Sequence, residues 1–118
     1  MHNFKELRVW QKARNMVKRV YLVTADLPNS ENYNLTSQMQ RSSVSIMSTI
    51  AEGTGRGSDI DFARFLDMAL GSAHELESQL IVSKDLNYLS ESRLDELTSE
   101  LTEIQKMLVA LIKKLRKN

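Results

Sequence analysis

The 118-residue sequence contains no cysteine, which excludes disulfides, thiol catalysis, iron–sulfur clusters and Cys-ligated zinc. One proline and four glycines are too few for a collagen-like, linker or low-complexity chain. Histidine is scarce as well. A di-metal helical bundle needs Glu-x-x-His pairs on facing helices, and a zincin helix needs a second histidine after His-Glu. His2 and His74 meet neither pattern, so no metal and no cofactor is expected. No run of about 18 uncharged apolar residues occurs, and the first ten residues, MHNFKELRVW, carry charges where a signal peptide is apolar. These absences point to a cytoplasmic protein with no membrane partner. What is present is a globular balance, 42% apolar and 26% charged, at the length of one domain spanning residues 1–118.

Apolar periodicity organises the whole chain. Leu94, Leu97, Leu101, Ile104, Leu108, Leu111 and Leu115 alternate spacings of three and four, a heptad seam. Ser90 or Ser92 is its N-cap. Met107 and Ile112 widen the stripe, so this helix should meet more than one neighbour near its C-terminus. Trp10, Ala13, Val17, Val20, Thr24 and Leu27, flanked by Leu7 and Tyr21 and ended by Pro28, predict a helix over about residues 5–26. The stretch PNSENYN is a connection. Leu35, Met39, Ser43, Ile46 and Ile50 mark a second helix running to Gly53. After the loop GTGRG, Ser58 and Asp61 resemble a capping box. Phe62, Phe65, Leu66, Ala69, Leu70, Ala73, Leu76 and Leu80 then mark a third helix over roughly residues 59–86. Short connections make successive helices antiparallel. The fold class is all-α, an up-and-down four-helix bundle. Gly71, inside the third helix, costs about 1 kcal/mol relative to alanine, which a neighbouring helix backbone approaching at Gly71-Ser72 would explain.

Catalytic motifs are missing. The glycine-rich loop lacks the Gly-Lys-Ser/Thr ending and the preceding strand of a nucleotide site. The serines have no recognisable general base; Ser42, Ser43, Ser45 and Ser48 instead suit close helix packing. The protein is not expected to be an enzyme.

Charge is unevenly divided. Residues 1–57 hold eight Lys/Arg against four Asp/Glu, residues 58–110 four against eleven, and residues 111–118 four against none. On the first helix Lys5, Arg8, Lys12 and Arg19 share a face, opposite Trp10 and Val17. Such a row is either a solvated surface or a set of phosphate contacts, which would read backbone and shape because no aromatic side chains interleave it. Lys113, Lys114, Arg116 and Lys117 favour the helix C-terminus and exceed what a cap needs. Gln38, Arg41, Ser45, Ser48 and Glu52 form a hydrophilic stripe on the second helix, whose small serines favour a subunit interface over a solvated face.

These residues resemble a known bacterial family over nearly the whole chain. The likeness rests on the run LRVWQKA from Leu7 to Ala13 and on Leu27-Pro28 with Glu31, Tyr33, Leu35 and Gln38. It continues through Arg41, Ser45, Ile46, Ile50, Ala51, Glu52, Gly53, Gly55 and Arg56, and through Phe62, Phe65, Leu66, Ala69, Gly71, Ser72, Glu75 and Leu76. The pattern is similar to the four-helix-bundle family of 23S ribosomal RNA intervening-sequence proteins, related to the accessory protein of diversity-generating retroelements. Met47 and Thr49 depart from it, replacing the proline and asparagine common there. The resemblance implies a homopentameric ring that binds nucleic acid through basic surfaces. Structured RNA, ribosomal RNA included, would be held by Lys5, Arg8, Lys12, Arg19, Arg41 and Arg56. Gln38, Ser45, Glu52, Gly53, Gly71, Ser72 and Glu75 would shape the contact between helices two and three and the oligomer. The alternative is a scaffold that docks a partner protein such as a reverse transcriptase.

Overall fold

The leucine seam forms the longest stretch of core. In the computed structural model, which describes residues 3–117, helix α4 runs Glu91–Lys117 and buries Leu97, Leu101, Ile104, Leu108, Ile112 and Leu115. Ser90 caps it, its hydroxyl accepting the Arg93 N–H at 3.1 Å. Near the C-terminus Ile112 lies in the core and Leu111 on the flank, because a straight helix drifts about 20° per heptad away from a strict seam. Helix α1 spans Arg8–Thr24, α2 spans Leu35–Thr54 and α3 spans Asp59–Asp85. Ser58 caps α3 as its spacing predicts, accepting the Asp61 N–H at 3.2 Å. The turn after α3 is closed by Asn87 in the left-handed region, φ 64°. Tyr88 N–H reaches the Ser83 carbonyl and Asn87 N–H the Lys84 carbonyl, the paired bonds of a Schellman cap.

The helices pack in a ring of neighbours, α1 on α2, α2 on α3, α3 on α4 and α4 back on α1, with no close backbone approach across either diagonal among the described residues. This is an up-and-down bundle 46 Å long. Besides the α4 residues, its core holds Met16, Val20, Met39, Ile46, Ile50, Leu66, Leu76 and Leu80, these eight each 1% exposed or less. Each such side chain stabilises the fold by about 1.5–3 kcal/mol through removal from water. No described helix is long and apolar enough to cross a membrane. His2 lies outside the described residues.

Three expectations are corrected. First, α1 begins at Arg8, and residues Phe4–Glu6 form a 3-10 turn instead, held by the Phe4 ring edge-on to Trp10 at 5.0 Å. Second, α1 buries Val9, Met16 and Val23 alongside Ala13, Val20 and Thr24, with Leu27 buried just beyond its end, leaving Trp10 and Val17 on the flank. The expected and observed stripes share Ala13, Val20, Thr24 and Leu27, and the helix is rotated so that the bulky indole sits at the edge of the core. Third, Gly71 is exposed, and a Cβ there would meet nothing within 4 Å. The close approach is at Gly53, where a Cβ would fall 2.9 Å from Phe62 Cδ1 and 2.9 Å from Phe65 Cβ.

Candidate nucleic-acid interface

Four antiparallel helices bring the chain back to the end where it began. The N-terminal turn, the α2–α3 loop and the C-terminus of α4 therefore share one end of the bundle, and the other two connections share the opposite end. Cutting the helices near residues 16, 44, 72 and 104 gives the first half eleven Lys/Arg against five Asp/Glu, a net +6. The other half holds five against ten, a net −5. The molecule is charged lengthwise, basic at one end and acidic at the other.

At the basic end, Lys5 and Arg8 are exposed near the start of α1, and Lys113, Lys114 and Lys117 are exposed at the end of α4. None of the five pairs with a carboxylate among the described residues. Asn3 accepts the Lys5 N–H, and Gln11 donates to the Lys5 carbonyl at 2.9 Å, which fixes the turn that carries Lys5. Arg116 instead grips Asp67 of α3 with both guanidinium nitrogens. Arg56 lies over the Phe65 ring, 4.3 Å from its centroid, and 4.0 Å from Glu52. Gly53 makes this corner possible, since any larger residue would push Phe65 away.

The predicted row on α1 is divided by the structure. Lys12 turns to Glu103 at 3.0 Å, and Arg19 to Glu100 at 2.9 Å and Glu96 at 3.2 Å, both across the seam to α4. The rotation that moved Val9 and Met16 into the core carried Lys12 and Arg19 against the acidic side of α4. They are consequently a poor match for phosphate contact. Arg41 stands apart, exposed in the acidic half of α2, where it donates to Gln38 Oε1.

The small and polar residues of α2 and α3 do meet. Ser45 and Ser72 hydroxyls lie 2.9 Å apart, and Ser42, buried, donates toward Glu75 Oε1 at 2.7 Å with Gln79 Oε1 at 2.9 Å. This polar seam fixes the register of the two helices. Glu52 and Gly71 face outward from it. Sequence reasoning ranked the C-terminal lysines below the α1 row. The signal that could have raised them is the even number of antiparallel helices, which places positive chain ends side by side.

Comparison with known proteins gives a family-model match over residues 5–110, described as 23S rRNA-intervening sequence protein. A crystal structure from Bacteroides thetaiotaomicron VPI-5482, described as a protein with unknown function from the S23 ribosomal protein family, superposes with a TM-score of 0.83. It is 28% identical, with 89% of this chain and 98% of that one covered. Among curated proteins nothing matches this chain.

Proposed function

Because this chain belongs to the 23S rRNA-intervening sequence protein family, we propose that it is a non-enzymatic, ring-forming bundle that binds structured RNA through its basic end. Ribosomal RNA is the foremost candidate. The carrying observation is that Lys5, Arg8, Lys113, Lys114 and Lys117 gather at one end without carboxylate partners among the described residues. Phosphates are the natural complement of such a cluster, and displacement of their counterions supplies the affinity. The nearest aromatics, Phe4 and Trp10, are half-buried and packed edge-on against each other, which favours recognition of backbone and shape. His74, the one described histidine, is exposed and faces only Glu77 at 4.0 Å, which supports a role without acid–base chemistry.

Ring formation is supported by the outward face of α3. Ile60, Met68, Val82 and Leu86 are all exposed there, from 43% to 74%, and Gly71 lies among them with open space around it. A stripe of that kind suits cover by a second protomer. Side-by-side protomers, five in the proposed ring, set every basic end on one rim, where weak contacts act together.

Anisotropy of a labelled structured RNA across a salt series, with light scattering on the same samples, tests this reading. Affinity should fall steeply with salt for an oligomer. Replacing Lys5, Lys113 and Lys117 with Glu should weaken binding at least ten-fold while leaving the fold intact. Unchanged affinity in that variant would overturn the assignment of the basic end.

A further inference from the structure

Between Met107 and Leu115, α4 carries two apolar stripes. Leu108, Ile112 and Leu115 are buried in the core. Met107, Ala110 and Leu111 lie on a second face, bordered by Leu7 just before α1 and by Arg8 and Val9 in its first turn. Met107 and Leu111 stay half-buried, and Ala110 is exposed. The result is an open groove of about 350 Å³ with an almost wholly apolar lining. Its rim is cationic, formed by Arg8 and Lys114, and includes no carboxylate. At this end α3 and α1 both flank α4, yet neither covers this second stripe, which stays open.

We propose that this groove docks an acidic amphipathic helix of a partner protein. Met107, Ala110, Leu111 and Lys114 are spaced i, i+3, i+4 and i+7, one face of a helix covering about two turns or roughly 10 Å. With the start of α1 as its second wall, that face forms the cleft in which a third helix packs ridges into grooves. The floor selects apolar side chains at matching spacing. The rim selects carboxylates flanking them, which Arg8 and Lys114 would meet on either side. RNA is a poor occupant, because the floor offers bases neither polar edges nor an aromatic platform, and phosphates lose hydration over methyl groups.

The test is selection from a displayed library of 14-residue helices. Leucines are fixed at i, i+3, i+4 and i+7, and the flanking positions are varied among Glu, Gln and Lys. The expected outcome is enrichment of Glu at the flanks, with at least ten-fold weaker binding of the selected peptides to an Ala110→Arg variant. Ala110 is exposed, so Ala110→Arg blocks the groove without entering the core, and circular dichroism should show an unchanged melt. RNA affinity should be kept or raised in the same variant, which separates failure of the groove from failure of the basic end. Three results would each overturn the proposal: no enrichment, enrichment of Lys flanks, or selected peptides indifferent to Ala110→Arg. A loss of oligomer mass in Ala110→Arg would likewise overturn it, by assigning the groove to a second copy of the chain.

Discussion

Arg19 of α1 donates to two carboxylates of α4 at once, Glu100 at 2.9 Å and Glu96 at 3.2 Å. Lys12, two turns earlier on the same side, meets Glu103 at 3.0 Å. These ion pairs span the α1–α4 seam. They are partly exposed, so each contributes only about 0.2–1 kcal/mol. Arg19→Ala should therefore lower stability by about 1 kcal/mol, or roughly 3–5 °C in melting temperature, with the deficit shrinking in high salt. RNA affinity should stay within two-fold. A drop as large as that caused by reversing Lys113 and Lys117 would mean that Arg19 leaves Glu100 to meet phosphate.

The two helical glycines should respond in opposite directions. Alanine at Gly71 has open space on every side and should stabilise the fold by about 1 kcal/mol through helix propensity. Alanine at Gly53 meets Phe65 Cβ and Phe62 Cδ1 at 2.9 Å. Phe65 Cβ cannot swing aside, so α2 and α3 must separate, at a cost of about 1–3 kcal/mol that outweighs the propensity gain. Urea unfolding of both variants checks the pair. A loss at Gly71 comparable with that at Gly53 would mean that the second protomer proposed to cover this face of α3 approaches the Gly71 backbone too closely for a Cβ.

The fold was legible because its signals are local. Leu97, Leu101, Ile104 and Leu108 repeat at three and four, Ser58 and Ser90 sit one residue before their helices, and Pro28 follows α1. Rotation of α1 was less legible, since Trp10-Val17-Thr24 and Val9-Met16-Val23 both have heptad spacing. Only the neighbours decide which stripe turns inward. That choice also decides the fate of Lys12 and Arg19, whose partners lie some 80 to 90 residues away in sequence, as the spacing of Arg19 from Glu100 illustrates. Gly71 was misread because helix propensity records a cost without saying whether packing or an open surface accompanies it. The basic end was legible in parts: the charge runs were plain, but their union depends on the antiparallel return of α4.

Tyr88, in the α3–α4 turn, donates its hydroxyl to Glu31 Oε2 at 3.1 Å, while Glu31 Oε1 accepts the Leu35 N–H at 3.3 Å. One carboxylate thus ties both connections at the acidic end to the first turn of α2. The hydrogen bond to Glu31, then burial, then the negative charge of Glu31 raise the Tyr88 phenol above its ordinary value of 10.0. A raised value in the folded state means that folding holds this proton more tightly than the unfolded chain does. Its contribution to stability is complete below about pH 10 and is lost as pH climbs through the raised value. Wild type should consequently melt higher than Tyr88→Phe at neutral pH, and the gap should narrow from about pH 10 upward. Thermal melts between about pH 7 and 11 measure it. No gap at neutral pH would show that Tyr88 supports the turn by ring packing alone, and a gap that stayed constant up to about pH 11 would show that Glu31 does not hold the phenol proton.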